Sequence, residues 1–146
     1  MLTTHFSEDE LNHTDHAIVN VCPPDLIHNA RRLAEDVLEP LRSLVGPLRV
    51  NSWYRGVALN KAVGGEPTSA HLEGRAADVV PVGGDINVAF RLLVTSKIPY
   101  DKAILERRGT AWWIHVQVAK DGSKPRLQAY TSHPVNGRMI YEAYHA

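Results

Sequence analysis

The feature that most constrains this chain is a carboxylate inside a short apolar segment. Residues 69–78 have the sequence SAHLEGRAAD, and residues 76–80 predict a buried strand interrupted only by Asp78. A buried carboxylate is costly unless it is hydrogen-bonded, paired with a cation or bound to a metal. Gly74 permits a tight turn between His71 and this strand. The alternative interpretation is that Asp78 caps a neighbouring loop.

A histidine interrupts a second apolar segment in the same way. Residues 111–118 have the sequence AWWIHVQV and predict a mostly buried strand around His115. Such a histidine alone is more often a core residue with satisfied hydrogen bonds than a ligand. Together, however, His71, Asp78 and His115 supply the imidazole and carboxylate groups that zinc binds, and three ligands leave a fourth position open for water. We therefore predict a site for one Zn²⁺ ion at these residues.

The composition excludes several classes of function. The 146 residues include sixteen basic and sixteen acidic side chains, without the Lys and Arg cluster expected of a nucleic-acid binder. With 44% apolar and 22% charged residues, the chain has the composition of a single globular domain over residues 1–146. No apolar run is long enough to span a membrane. Cys22 is the only cysteine and is predicted to be a small buried residue.

Hydrophobic periodicity predicts a mixture of helices and short strands. An apolar stripe over residues 26–44 predicts a long helix, which Pro40 should kink or restart. The tail from His133 has no clear pattern. Because a regular βαβ rhythm is missing, we predict an α+β fold with an antiparallel sheet flanked by helices. Further helices are predicted at 57–63 and 85–97, and strands at 48–54, 76–80, 102–107, 111–118 and 127–131.

The segment that contains His71 and Asp78 resembles the SxHxxGxAxD motif of the M15 zinc peptidases, the D-alanyl-D-alanine carboxypeptidase family. The resemblance is greatest to the branch found in phage and prophage cell-wall hydrolases. It covers most of the chain, because weaker matches follow in the family's order at residues 5–7, 10–11, 38–42, 52–55, 59–60, 63–65 and 113–116.

The resemblance implies a compact α+β domain of the hedgehog/DD-peptidase-like fold, with the metal on an antiparallel sheet. It implies that the zinc ligands are His71, Asp78 and His115. It also implies that Arg55 binds the substrate and stabilises the oxyanion, as a fixed guanidinium near a polarised carbonyl can do. Ser69 matches the motif serine, which orders the loop or contacts the substrate. The alternatives are that Arg55 only starts a helix and that Ser69 is a simple turn residue.

The general base departs from the family's pattern. Many members carry Glu or Asp three residues before the last histidine, where this chain has Trp112, a side chain that cannot accept a proton. We predict that Glu106 takes this role, because the phage-type branch tends to carry a glutamate on the preceding strand. Asp101 and Glu73 are the alternatives.

The position of Glu106 depends on the register of a predicted hairpin. If Arg108 pairs with Ala111 across a two-residue loop, Glu106 lies opposite Trp113 and on the same face as His115. Its separation from His115 is then a diagonal of about 7–8 Å, which allows a carboxylate to reach water at the metal. A register shifted by one residue would place Glu106 on the other face.

These residues predict a zinc metallopeptidase, and the family resemblance implies that its substrates are peptidoglycan stem peptides, cut as by a D-Ala-D-Ala carboxypeptidase or an endolysin-type endopeptidase. In this mechanism zinc polarises the scissile carbonyl and activates water, and Glu106 transfers the proton to the leaving amine. Trp113, together with Trp53 and Tyr54, is expected to line the cleft, although aromatic residues near a sheet are as often core. The D-Ala–D-Ala bond, a D-Ala cross-link and the L-Ala–D-Glu bond all remain open as targets.

A non-catalytic, zinc-containing binding module of the same fold is the alternative. Trp112 favours that alternative, whereas Arg55 and Glu106 disfavour it. A metal-free scaffold is a third hypothesis. Residues 1–20 show no signal-peptide pattern, so we expect synthesis in the cytoplasm and action on the bacterial cell wall after release by a holin or delivery by a virion. We expect a monomer without nucleic-acid or membrane partners.

Overall fold

A computed structural model describes all residues, 1–146. The α-helices are α1 (Glu8–Leu11), α2 (Ile27–Leu33), α3 (Glu39–Val45), α4 (Val57–Ala62) and α5 (Ile86–Thr95), and 3-10 helices occupy Pro24–Leu26 and Ala70–Glu73. The strands are β1 (Leu48–Ser52), β2 (Ala76–Pro81), β3 (Lys102–Arg108), β4 (Ala111–Gln117), β5 (Gln128–Val135) and β6 (Arg138–Ala143).

The six strands form one sheet in the order β1-β2-β4-β3-β5-β6. The predicted α+β class is confirmed, and the sheet is mixed, because β3 and β5 pair in parallel while all other pairs are antiparallel. The parallel pair has a topological cause. After β4 the chain turns back beside the start of β3, where the Gln128 N–H donates to the carbonyl of Asp101 at 3.0 Å, so β5 leaves in the same direction as β3.

Helices cover one face of this sheet and leave the other face to the site. Helix α5, predicted at 85–97, packs against β2, β3, β4 and α3. Asp85 caps its N-terminus by accepting a hydrogen bond from the Asn87 N–H at 2.7 Å. Cys22 is buried, as predicted, and burial raises the pKa of its thiol to about 11, which disfavours the reactive thiolate. The largest fully buried side chains are Trp53, Phe6, Phe90, Leu11, Leu33, Leu38, Leu41, Leu93 and Ile114.

The long helix accommodates Pro40 through a wide turn. A π-helical turn at Ala34–Leu38 joins α2 to α3, and the Glu39 N–H donates to the carbonyl of Ala34. Proline has no N–H to donate and its ring crowds the preceding turn, so the wider turn lets the chain pass Pro40 without ending the helix. None of the helices has the length and apolar character needed to cross a bilayer.

The C-terminal tail is more ordered than its lack of a sequence pattern indicated. It forms strand β6, which pairs with β5 through a two-residue turn at Asn136 and Gly137. Both turn residues have positive φ, 51° and 77°, which is the conformation that the hairpin sequence Asn-Gly favours. The Asn-Gly pair was therefore the signal that could have predicted this hairpin.

Gly74 makes the tight turn that the sequence predicted between His71 and β2. Its φ is 72°, and its carbonyl accepts a hydrogen bond from the indole N–H of Trp53 at 3.1 Å. A left-handed conformation is strained for any residue with a Cβ atom. The turn therefore requires glycine at this position, and it brings the ends of the motif together.

We predict that Gly74→Ala lowers the free energy of unfolding by about 1–2 kcal/mol, the cost of placing a Cβ atom in the left-handed region. Gly83→Ala is the matched control, because Gly83 lacks a positive φ and a Cβ atom added to it would meet no other atom within 4 Å. Urea unfolding monitored by circular dichroism measures both variants. Equal stabilities for the two variants would contradict the account of this turn.

Candidate metal centre and active site

Strand pairing places two of the predicted ligands side by side. Asp78 of β2 lies directly opposite His115 of β4 in the antiparallel register. Directly opposed residues point to the same face of a sheet, so both side chains lie on the face that the helices leave free. The carboxylate and the imidazole, which are far apart in sequence, are thus fixed by the sheet itself.

His71 reaches the same point from the 3-10 helix at Ala70–Glu73. Ser69 caps this helix, since its hydroxyl accepts a hydrogen bond from the His71 N–H at 3.2 Å. The His71 carbonyl in turn accepts from the backbone N–H of Arg55 at 3.0 Å. Ser69 therefore helps to order the motif loop, which fits both the motif serine and the simple turn residue considered from the sequence.

The three side chains meet around one carboxylate oxygen. Asp78 Oδ1 lies 3.3 Å from His71 Nε2 and 3.3 Å from His115 Nδ1. The two imidazole rings are 5.1 Å apart between centroids, and the potential ligand atoms of all three residues lie within 4.8 Å of one another. His71 and Asp78 are buried, and His115 is partly buried. The structure thus brings the predicted trio together.

The hydrogen bonds of His71 leave a lone pair directed into this cluster. Its Nδ1 lies 2.6 Å from the carbonyl oxygen of Trp53, which can only accept, so the ring proton is on Nδ1. Nε2 is therefore unprotonated in the neutral ring, and this buried atom makes no hydrogen bond despite its closeness to Asp78. A backbone carbonyl that fixes the tautomer in this way is typical of metal-binding histidines.

The charges of His71 and Asp78 suit a cation, whereas at His115 a proton competes with the metal. Burial lowers the pKa of His71, which favours the neutral imidazole that a metal requires. Burial disfavours ionisation of Asp78, but its interactions with His71 and His115 outweigh burial and hold its pKa far below the ordinary value. For His115, burial opposes protonation, but the hydrogen bond and charge of Asp78 outweigh it and raise its pKa.

Arg55 binds the second oxygen of the shared carboxylate. Its Nη2 donates to Asp78 Oδ2 at 2.9 Å, and its Nε donates to the hydroxyl of Ser52 at 3.0 Å. Arg55 also lines the cleft beside the trio. Because Oδ2 is occupied by the guanidinium, Asp78 presents only Oδ1 to His71 and His115.

The predicted hairpin register is confirmed, and it places Glu106 on the face of the trio. Arg108 pairs with Ala111, and Glu106 pairs with Trp113. Burial, and then the negative charge of Asp78, raise the pKa of Glu106 above its ordinary value. A carboxylate with a raised pKa is better able to accept a proton near neutral pH.

The structure explains why position 112 does not supply a base here. Successive side chains of a strand point to opposite faces of the sheet, so Trp112 faces away from Trp113, His115 and the trio. It is exposed, and the guanidinium of Arg107 lies 5.5 Å from the centre of its ring.

The two alternative bases are engaged elsewhere. Asp101 is buried and accepts hydrogen bonds from Arg126 and Gln117. The Arg126 hydrogen bond is the main reason that the pKa of Asp101 is lowered, which makes it a poor base. Glu73 pairs with Arg75 at 2.9 Å and is not among the residues that line the cleft.

A cleft of about 760 Å³ surrounds the trio, and Trp113 lines it as predicted. Trp53 and Tyr54 are buried and do not line it, so the expectation for these two residues is wrong. Trp53 instead packs edge-on against Phe6 at 6.3 Å in the core. Several polar residues of this cleft were not predicted from the sequence, because they come from separate strands and loops: Lys102, Gln117, Lys120, Arg126, Arg138 and Tyr141.

The residues present fit a zinc ion. Two imidazole nitrogens and one carboxylate oxygen form a donor set that catalytic zinc sites use. The unpartnered Nε2 of His71 supports this fit, because a buried polar atom without a partner is costly in a folded protein. A cation bound between these atoms would satisfy it.

Comparison with known proteins agrees with this chemistry. A family model described as Peptidase M15 matches residues 4–117, a segment that includes the trio, Arg55 and Glu106. A search of curated proteins finds no match. The match extends over more than half of the chain and confirms the family predicted from the histidine motif. The chain therefore belongs to the Peptidase M15 family, a family of hydrolases.

Proposed function

We propose that this protein is a zinc metallopeptidase that hydrolyses peptide bonds in peptidoglycan stem peptides. The observation that carries the proposal is the buried, unpartnered Nε2 of His71 beside Asp78 Oδ1 and His115 Nδ1. Membership of the Peptidase M15 family supports the same reaction class. On this proposal the protein acts on the bacterial cell wall.

Different residues have different roles in the proposed hydrolysis. A zinc ion held by His71, Asp78 and His115 would supply Lewis acidity for a carbonyl and for water. Glu106 accepts the proton of the attacking water and returns it to the leaving amine. Its position on the face of the trio and in the same cleft supports this role.

Arg55 acts from beside the metal ligands. Its bond to Asp78 Oδ2 fixes the carboxylate so that Oδ1 remains directed at the two imidazoles. Its guanidinium also borders the cleft, where it contributes positive charge near the reacting carbonyl. We therefore assign it both a positioning role and stabilisation of the oxyanion.

The charge of the cleft supports an acidic substrate. The chain has no net charge, yet seven basic and three acidic side chains line the cleft. Stem peptides carry free carboxylates, so a basic cleft attracts them and raises their local concentration. The acidic lining residues are Glu66, Asp78 and Glu106, and the basic residues without a salt bridge are Lys102, Arg108, Lys120 and Arg138.

The second candidate function is a zinc-containing binding module without catalysis. Trp112 at the family's usual base position favours it. The position of Glu106, on the face of the trio and with a raised pKa, favours the enzyme instead. Incubation with purified cell wall, followed by mass spectrometry of the released muropeptides, separates the two functions and identifies the bond that is cut.

We predict that added zinc raises the free energy of unfolding by about 2.7 kcal/mol when its free concentration is a hundred times the dissociation constant. His71→Ala should abolish this increment, because it removes the unpartnered nitrogen. His16→Ala, at an exposed histidine outside the trio, should keep it. Elemental analysis and urea unfolding with and without chelator measure the effect. An equal increment in wild type and His71→Ala would place the metal elsewhere.

We predict that Glu106→Gln lowers kcat by about 10²–10⁴-fold, the usual contribution of a general acid-base group. Zinc content should remain equal to that of wild type, because Glu106 is not one of the three ligands. Glu142→Gln, at an exposed position of β6 outside the cleft, is the control and should keep full activity. Full turnover in Glu106→Gln would reassign the base.

We predict that Lys102→Gln raises KM for a stem peptide by about two- to fivefold with little change in kcat, the effect of losing one partly exposed charge contact. The increase should shrink when the carboxylates of the peptide are amidated. Lys124→Gln, an exposed lysine that does not line the cleft, is the control. The same KM for Lys102→Gln and Lys124→Gln would contradict a role of the cleft charge.

A further inference from the structure

The outer nitrogen of His115 meets the side chain of Gln117. The two residues are on the same face of β4, and His115 Nε2 lies 2.9 Å from Gln117 Oε1. The other ring nitrogen, Nδ1, faces Asp78. A neutral imidazole carries one proton, so the partner of Nε2 helps to decide whether Nδ1 is a donor or a lone pair.

The orientation of the Gln117 amide is determined by Asp101. Gln117 Nε2 lies 3.2 Å from Asp101 Oδ2, and both residues are buried. An ionised carboxylate has only acceptor atoms, so the amide must turn its NH₂ group toward Asp101. The amide oxygen then has to face His115, and an oxygen there can only accept the Nε2 proton.

Arg126 keeps Asp101 ionised and in place. Its Nε donates to Oδ1 at 3.0 Å and its Nη2 donates to Oδ2 at 2.8 Å, while its backbone N–H donates to Oδ1 at 3.1 Å. The backbone of Asp101 is held as well, because its N–H donates to the carbonyl of Gln117 at 2.8 Å. A two-point guanidinium contact of this kind is strong and directional.

We propose that Asp101 is a positioning residue, which acts through Gln117 to hold His115 as the tautomer protonated on Nε2. The Nδ1 lone pair then points at Asp78 Oδ1 and is available to a metal ion. In the opposite tautomer, Nδ1–H would donate to Asp78 and close the site, while Nε2 and the amide oxygen would face each other as two acceptors.

On this proposal, the amide oxygen of Gln117 has the same role for His115 as the backbone carbonyl of Trp53 has for His71. In both histidines an acceptor outside the cluster takes the ring proton, and the nitrogen inside the cluster is left free. The difference is the length of the connection. For His71 a single backbone carbonyl is sufficient. For His115 the acceptor is the Gln117 amide, whose orientation is fixed by Asp101, which in turn is held by Arg126 from the loop before β5.

This inference rests on the proposed zinc site, but it can be measured without metal. Long-range proton–nitrogen correlation spectra of the metal-free protein at alkaline pH report the tautomer of His115 directly. Wild type should show the Nε2–H form. In Asp101→Asn the new amide can present either its oxygen or its NH₂ group to Gln117, so the Nδ1–H form should appear. Zinc affinity should fall by about 10–100-fold, the usual effect of losing an outer partner of a ligand.

Gln117→Met provides a second variant of similar volume, which removes the acceptor while leaving the pair of Asp101 and Arg126 intact. It should shift the tautomer and weaken zinc binding in the same way. Asp121→Asn is the control, because it removes a carboxylate paired with Arg32 and His28 outside the cleft. It should keep the wild-type tautomer and affinity.

Two results would overturn the proposal. One is an Nδ1–H tautomer in wild type. The other is an unchanged tautomer and affinity in Asp101→Asn, or in Gln117→Met if the first variant does not fold. Failure of the proposed function looks different, because wild type would then show the Nε2–H form but no zinc binding or no hydrolysis.

Discussion

The structure depends on one buried carboxylate that is shared by three cationic or metal-binding groups. Asp78 directs Oδ1 at the imidazoles of His71 and His115 and gives Oδ2 to Arg55. A buried carboxylate is unfavourable without such partners, so the surrounding elements must hold them in place. The pairing of β2 with β4 positions His115, and the turn at Gly74 positions His71.

In the proposed mechanism, the trio binds the metal and a different residue, Glu106, transfers the proton. The trio is held by backbone pairing and by acceptors behind the rings, so the position of its atoms does not depend on the substrate. Glu106 is on the adjacent strand β3, at a distance set by the hairpin register. Glu106, the proposed proton-transfer group, is therefore on the same sheet as Asp78 and His115, and a shift of one residue would remove it from the site.

Local sequence, together with the family resemblance, was sufficient to predict that the trio meets at one point and that Glu106 shares its face of the sheet. Asp78 and His115 are polar residues inside apolar strands, and a two-residue loop between Arg108 and Ala111 fixes the register of Glu106. The parallel pairing of β5 was not predictable in this way, because it depends on where the loop after β4 returns to the sheet. The π-helical turn before Pro40 was missed since a proline pattern does not show whether a helix ends or widens.

The Asp101–Gln117–Arg126 contacts were also outside the reach of the sequence. Asp101 was considered as a base, but its partners are 16 and 25 residues away and follow no local pattern. The basic cleft was hidden for a similar reason. Its basic residues come from separate strands and loops. Acidic residues elsewhere in the chain balance them, so the net charge of the whole sequence is zero.

The most direct test of this account is a crystal structure of the zinc-loaded protein with anomalous diffraction recorded at the zinc edge. The account predicts one peak, about 2.0–2.2 Å from His71 Nε2, His115 Nδ1 and Asp78 Oδ1. A peak at any other group of residues, or a zinc-loaded crystal with no peak between these three atoms, would contradict it.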